Sequence, residues 1–285
     1  MNDFQIILVG ILVAVSCAIL GCFLVLRKMA MVGDAISHAV LPGIVIAFLI
    51  VQRFDSIFML IGAAILGVFT TLLIEFLHKQ GKLQTDASIG VSFTSLFALG
   101  VILISVFASK VDLDAECVLF GEIAYVPLHV WRIDLDDGAI LNLGAKAAWW
   151  IGSVLLIILF FVTVFYKEML LTTFDPSFAS AIGINVSVWH YSLMSLVSLA
   201  TVAAFESVGA VLVLSFLVVP PATAYLLTTN FKKMLFLSCF IGIITAILGY
   251  YTASFLNASI AGSMTSVAGV IFALVFLFVR IKKNK

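Results

Sequence analysis

Long apolar runs separated by short polar breaks dominate the chain from end to end. A transmembrane helix needs about 20 mostly apolar residues to cross ~30 Å of hydrocarbon. Runs of that kind occupy 5–26, 30–51, 57–77, 87–108, 147–166, 190–205, 207–228, 234–255 and 261–279. The pattern predicts an all-α, polytopic membrane helical bundle of eight to nine transmembrane helices. The sixth and seventh runs set the range, because Glu206, Gly209 and Pro220-Pro221 interrupt one otherwise continuous stretch. Nine separate spans and eight spans with one broken or re-entrant element both fit.

Composition narrows the class. Of 285 residues, 64% are hydrophobic and 11% charged, against about 45–50% and ~25% in soluble domains. Mean hydropathy is +1.27. Lys+Arg 15 and Asp+Glu 15 cancel, leaving neither a basic field for nucleic acid nor an acidic tail. A soluble enzyme, a disordered chain and a secreted disulfide scaffold are excluded. Cys17, Cys22, Cys117 and Cys239 are irregularly spaced, and the three in apolar runs read as small buried hydrophobes. Ile19-Leu20-Gly21-Cys22 has the look of a lipoprotein cleavage box, yet no Lys or Arg precedes the apolar run while Arg27 and Lys28 follow it. The first run is therefore expected to be retained as a span.

Charge orients the bundle. With nine spans and the N-terminus outside, the cytoplasmic ends hold Arg27, Lys28, Lys79, Lys82, Lys167, Lys232, Lys233, Arg280, Lys282, Lys283 and Lys285. The outer ends hold only Arg53, Lys110, Arg132 and Lys146. That asymmetry predicts the N-terminus outside and the C-terminus cytoplasmic.

Two connections carry patterns. The stretch 109–146, placed outside, has seven acidic residues against three basic ones, and interleaves them with Leu119, Phe120, Val126, Leu128, Val130 and Trp131. It suits either an amphipathic segment on the membrane surface, usable as a docking face, or a solvated loop. On the cytoplasmic side, 174–183 predicts a short helix, with Asp175 as N-cap, Pro176 at the first position and Gly183 as the left-handed stop. Phe174, Phe178, Ala181 and Ile182 fall near one face. So short a helix must pack on something, either its own protein or a soluble subunit.

Ionisable residues at bilayer depth ask for explanation, since each costs at least ~2.5–3.5 kcal/mol. Asp34 and His38 are the clear cases, in Gly33-Asp34-Ala35-Ile36-Ser37-His38-Ala39-Val40-Leu41-Pro42-Gly43. At i and i+4 they share a helix face. Counted from Lys28, His38 lies about 15 Å deep and Asp34 roughly 9 Å. Pro42 has no N–H, so the His38 carbonyl loses its helical partner. Carboxylate, imidazole and spare carbonyl form an N/O donor set suited to Mn²⁺, Fe²⁺ or Zn²⁺ rather than Cu(I). Two protein ligands hold such an ion weakly, and two copies on a two-fold axis would double the set. A structural Asp–His hydrogen bond and a proton relay are the competing readings. Glu206 either lines the outer mouth of a pathway or is a span-end carboxylate in water. Glu75, His78, His129 and His190 read as solvated or interfacial span-end residues.

No Gly-x-x-x-x-Gly-Lys-Ser/Thr phosphate loop, His-Glu-x-x-His or Gly-x-Ser-x-Gly occurs in the chain, so no ATPase, metalloprotease or hydrolase site is expected. No internal repeat is detectable.

Arg27-Lys28-Met29 followed by Gly33 to Gly43 resembles the signature of the bacterial manganese/zinc/iron ABC importer permeases. Leu119-Phe120-Gly121-Glu122, the 175–183 helix, and Val208-Gly209-Ala210-Val211-Leu212-Val213 running into Val219-Pro220-Pro221-Ala222-Thr223-Ala224 match in the same order. The resemblance implies one permease domain over 1–285 in the bacterial cytoplasmic (inner) membrane. It also implies a second permease, identical or paralogous, a cytoplasmic ABC ATPase dimer and an extracytoplasmic metal-binding protein. The chain itself would be no enzyme and would hold no permanent cofactor, only the transported metal. Asp34 and His38 would be its pathway ligands, and 174–189 the coupling-helix region, with Phe174, Asp175, Pro176, Phe178, Ala181 and Gly183 facing the ATPase. Leu41-Pro42-Gly43 is similar to manganese and iron members more than zinc ones. Pro220-Pro221 departs from the more usual Pro-Ala and bears on local helix geometry. Position 206 varies in the family, so no role passes to Glu206. A proton-coupled secondary transporter using the same Asp–His pair is the reading from another class.

Overall fold

The structure, a computed structural model, describes residues 2–51, 56–107, 123–128, 130–134 and 140–283. Twelve helices are found among them: α1 (Asn2–Leu26), α2 (Val32–Ala39), α3 (Leu41–Val51), α4 (Ser56–Lys79), α5 (Thr85–Phe107), α6 (Lys146–Val164), α7 (Tyr166–Phe174), α8 (Pro176–Ala181), α9 (Val186–Val208), α10 (Ala210–Leu227), α11 (Phe231–Leu256) and α12 (Ile260–Lys283). With α2 and α3 taken as one interrupted span, nine helices among the described residues are long and apolar enough to cross a membrane. Each coincides with one of the nine apolar runs.

The ambiguous pair resolves into two helices. Gly209, at φ +78°, separates α9 from α10, a backbone conformation that glycine adopts without a Cβ penalty. Pro220 and Pro221 do not interrupt anything: both lie inside α10. A proline within a helix frees the carbonyl four residues earlier. For Pro221 that is Leu217, and this oxygen lies against Gly21 of α1 so closely that a Cβ there would collide with it. The helix runs on through both prolines, and the neighbouring α1 backbone covers the freed carbonyl.

The chain forms two compact units from alternating segments. The first comprises Met1–Val25, Gly121–Leu159 and Ser207–Lys285. In its core α1 meets α10 at Gly21 and Leu217, α11 at Ala14 and Gly242, and α12 at Gly10 and Met264, and Leu20, Phe23, Leu24 and Phe216 are all buried. Phe23 meets Phe231 edge to face at 4.9 Å between centroids. Cys17 and Cys22 are buried here, as small hydrophobes should be, and burial is partial for Cys239. Helix α11 is capped at both ends. The Asn230 side chain accepts from the Lys233 N–H, and Asn257 closes it in the left-handed conformation. The unit also carries a 3₁₀ turn (Ile123–Leu128) and an antiparallel hairpin of β1 (Val130–Asp134) and β2 (Ile140–Ala145), pairing Val130 with Ala145 and Asp134 with Ile140. The sequence reading gave this stretch no strands. Leu119–Glu122, Cys117 and most of the acidic residues of 109–146 lie outside the described residues.

The second unit comprises Leu26–Phe120 and Phe160–Glu206 and positions every candidate residue except Glu206, whose side chain lies outside the described part of the structure. Helices α2 to α5 pack on one another. The α3–α4 crossing is a glycine pair, Gly43 and Gly62, where a Cβ on either would stand 2.5 Å from the other's carbonyl oxygen. Small residues at such crossings permit close backbone approach, the main route to helix association in lipid. Large apolar side chains point outward instead, with Ile50 at 76%, Phe236 at 80% and Phe255 at 86% exposure. Such an outside needs hydrocarbon around it.

Candidate functional site

The signature segment folds as a broken helix. Lys28, at φ +58°, turns the chain out of α1. After the eight residues of α2 comes Val40, then Pro42 opens α3. The Gly43 N–H donates to the carbonyl of Val40 at 2.9 Å, three residues back. The interruption is seated on α5, where Gly100 leaves room for the Pro42 ring. Within α2 the Ser37 hydroxyl donates to the Gly33 carbonyl at 2.9 Å, satisfying a buried polar group locally.

Asp34 and His38 project from the same face, as their spacing requires. Asp34 Oδ1 and His38 Nε2 are 3.5 Å apart, and both side chains are about one third exposed (30% and 34%). That distance is long for a hydrogen bond. It is close to the separation of two donors bound to one ion, since ligands about 2.1 Å from a metal lie roughly 3.0–3.5 Å apart. The imidazole is oriented by α5, with Phe93 and Phe97 at 5.3 and 5.9 Å between ring centroids. The carboxylate and the imidazole are thus held side by side without being locked to each other. Among the described residues no group of three or more His, Cys, Asp or Glu gathers anywhere. Among the described residues Asp34 and His38 are thus two ionisable groups with no third His, Cys, Asp or Glu beside them.

The short helix expected after Phe174 is present as α8. The Asp175 carboxylate accepts from the Phe178 N–H at 2.9 Å, Pro176 takes the first turn, and Gly183 has φ +87°. Ala179 is buried, whereas Phe174, Phe178 and Ile182 are exposed by 58%, 51% and 53%, and Ala181 is exposed too. The helix rests on its own chain through one methyl group and offers its large apolar residues outward.

Glu75 is not on a solvated face, as its place near a span end suggests: it is 8% exposed and its carboxylate pairs with His190 Nε2 at 3.1 Å and Lys79 Nζ at 2.6 Å. The other ring nitrogen of His190 meets Arg27 at 3.3 Å. Arg27 in turn donates to the hydroxyls of Thr172 and Thr173, at 3.1 Å each. Burial lowers the Arg27 pKa to about 10, which still leaves the guanidinium protonated at neutral pH. The Glu75–Lys79 spacing of four was visible in the sequence as a helix-surface pair. Nothing local could bring His190 to it across 115 residues. His78 is exposed, its Nδ1 lying 2.8 Å from the Leu83 carbonyl. His129 lies outside the described residues.

Comparison with known proteins adds the family. The model of the ABC 3 transport family matches residues 3–279. The manganese transport system membrane protein MntD of Bacillus subtilis is 51% identical over 273 residues, covering 96% of this chain and 90% of MntD. The zinc transport system membrane protein TroD of Treponema pallidum is 40% identical over 274 residues, covering 96% and 73%. PsaBC from Streptococcus pneumoniae, solved in complex with Fab, superposes with a TM-score of 0.76 at 32% identity, covering 95% of this chain and 90% of that one. With a broken signature helix, nine apolar helices in matching order and a family model spanning nearly every residue, this chain belongs to the ABC 3 transport family, as a membrane permease without an ATPase site of its own.

Proposed function

We propose that this permease carries a divalent transition metal ion inward, manganese in first place with iron and zinc as alternatives, and that Asp34 and His38 are its pathway ligands. The carrying observation is the pair itself: two N/O donors 3.5 Å apart, part-exposed and oriented by Phe93 and Phe97, on a helix broken by Pro42. The kinship to manganese and zinc transport proteins supports a metal as cargo. A second permease, identical or paralogous, supplies the remaining ligands, since two ionisable donors alone hold an ion weakly. Coordination divided between two permeases suits conduction, which needs a site favourable enough to enter and weak enough to leave. Manganese is the weakest binder of the divalent series, so selection falls to an extracytoplasmic binding protein rather than to this site.

The same reading orients the chain with its N-terminus outside and C-terminus inside the bacterial cytoplasmic membrane, as the Lys and Arg distribution favours. Helix α8 then faces the cytoplasm, where Phe178 and Ile182 seat on an ABC ATPase dimer. Glu206 sits at the outer side of this arrangement, where a carboxylate can meet an incoming cation.

The test is metal uptake in cells whose ATPase and binding protein are intact. Asp34→Ala and His38→Ala are each expected to reduce manganese accumulation to the level of cells lacking the permease, with normal amounts of protein in the membrane. Undiminished uptake in either variant refutes the pathway site. Transport by the purified chain in vesicles without any ATPase would instead establish the proton-coupled alternative.

A further inference from the structure

The polar chain that runs from Thr172 through half-buried Arg27 and His190 and buried Glu75 to exposed Lys79 has a definite hydrogen-bond order. Arg27 can only donate, so at His190 it must meet an Nδ1 lone pair, 3.3 Å away. That fixes the tautomer: the ring proton is on Nε2 and is donated to Glu75 Oε2 at 3.1 Å. The other Glu75 oxygen takes Lys79 at 2.6 Å. At the far end, Arg27 grips the last turn of α7, whose Thr172 and Thr173 hydroxyls donate back to the carbonyls of Glu168 and Met169. Thr173 is two residues before Asp175, the N-cap of α8.

From Glu75 and His190 the contact continues into the bundle. Gly67 of α4 is eight residues before Glu75, and Ser198 of α9 is eight residues after His190, about 12 Å along each helix. There the two helices touch again, Gly67 lying directly against the Ser198 hydroxyl. The third atom at this junction is Ile36 Cγ2, which a Cβ on Gly67 would meet at 3.3 Å. Ile36 stands midway between Asp34 and His38 and is fully buried. Helices α4 and α9 are therefore joined at two levels, one bound to the α7–α8 stem and the other to the segment bearing the metal ligands.

We propose that Arg27, His190 and Glu75 are positioning residues for transport, tying the stem of α8 to the α4–α9 pair so that displacement of α8 reaches α2 at Ile36. The inference rests on the reading of α8 as the seat of the ATPase. A charged relay centred on a buried carboxylate suits this task because it cannot slide: moving His190 strands part of Glu75 without its partner, at a cost an apolar contact would not impose. Spatial continuity alone does not establish coupling, so the test must measure coupling itself.

The assembled complex, with its ATPase and binding protein, is reconstituted in proteoliposomes, and manganese accumulated per ATP hydrolysed is measured. His190→Gln retains a donor toward Glu75 but loses the acceptor for Arg27, while His190→Asn does the converse. Each keeps one half of the bridge, so a merely structural role would tolerate at least one of them. Both variants, and Arg27→Lys, are expected to lower metal per ATP by about 5- to 150-fold, the span of a typical coupling free energy, while the ATPase still co-purifies and hydrolyses ATP. Combining Arg27→Lys with His190→Gln should add little to either alone. Unchanged metal per ATP in both His190 variants overturns the relay, even if yield or thermal stability falls. Failure of the underlying reading looks different: Phe178→Asp, with the relay intact, would then leave ATPase co-purification undiminished.

Discussion

At the residue scale, the proximity of Asp34 and His38 was legible because its logic is local. Four residues of helix put two side chains on one face whatever else the protein does, and Asp34 and His38 stand 3.5 Å apart accordingly. The relay was not legible, because Arg27, Glu75 and His190 meet only through tertiary packing. The junction beneath it gives a sharp test. A Cβ at Gly67 would collide with the Ser198 hydroxyl, yet would clear the Ser198 Cβ at 3.4 Å. Gly67→Ala is expected to destabilise the fold by about 1–3 kcal/mol through overpacking. Ser198→Ala alone should be close to neutral, since its buried hydroxyl has no hydrogen-bond partner and nothing is left unpaired by removing it. The double variant should recover most of the loss. Thermal unfolding of the four proteins in one detergent checks this, and a double variant as weak as Gly67→Ala refutes the geometry.

At the element scale, termination signals were read correctly where they act through the backbone alone. Asp175, Pro176 and Gly183 build α8 as their chemistry prescribes. Removing the cap by Asp175→Ala should cost α8 about 0.5–2 kcal/mol, seen as faster hydrogen exchange at 178–182. In the full complex it should also weaken ATPase co-purification without removing the permease from the membrane. Prolines were harder to read, because their effect depends on who covers the freed carbonyl. Pro42 separates α2 from α3, whereas Pro220 and Pro221 pass within α10 beside Gly21. Gly21→Ala is therefore expected to disturb the first unit more than a buried methyl ordinarily would, lowering its melting temperature. A melting temperature equal to that of the unchanged protein would show that α10 does not lean on that backbone.

At the scale of the whole molecule, the order of the apolar runs follows from length and hydropathy, and all nine recur as helices among the described residues, the structure deciding that the sixth and seventh are separate. Orientation is a separate matter, decided by Lys and Arg at the membrane surface during insertion. It makes a direct prediction. In a chain freed of its native cysteines, Ser259→Cys, in the link between α11 and α12, should react with an impermeant maleimide on intact cells. Thr229→Cys, in the link between α10 and α11, should react only after the membrane is opened. The opposite pattern would invert the topology and place α8 away from any cytoplasmic ATPase. The hairpin of β1 and β2 escaped notice because its strands are short and interrupted by polar and glycine positions, with too few alternations to register as a period of two.

Sequence alone determined the membrane class, the apolar runs, the caps of α8 and the pairing of Asp34 with His38. Each rests on a covalent distance of a few residues or on the cost of exposing a segment to the wrong solvent. The tertiary structure decided what is long-range: Phe93 and Phe97 orienting the imidazole, a backbone closing over the Pro221 break, and a buried glutamate finding its histidine. Those outcomes depend on which helix faces lie together. In lipid that choice is made by close packing and hydrogen bonding between helices, which a one-dimensional pattern of apolar residues does not encode.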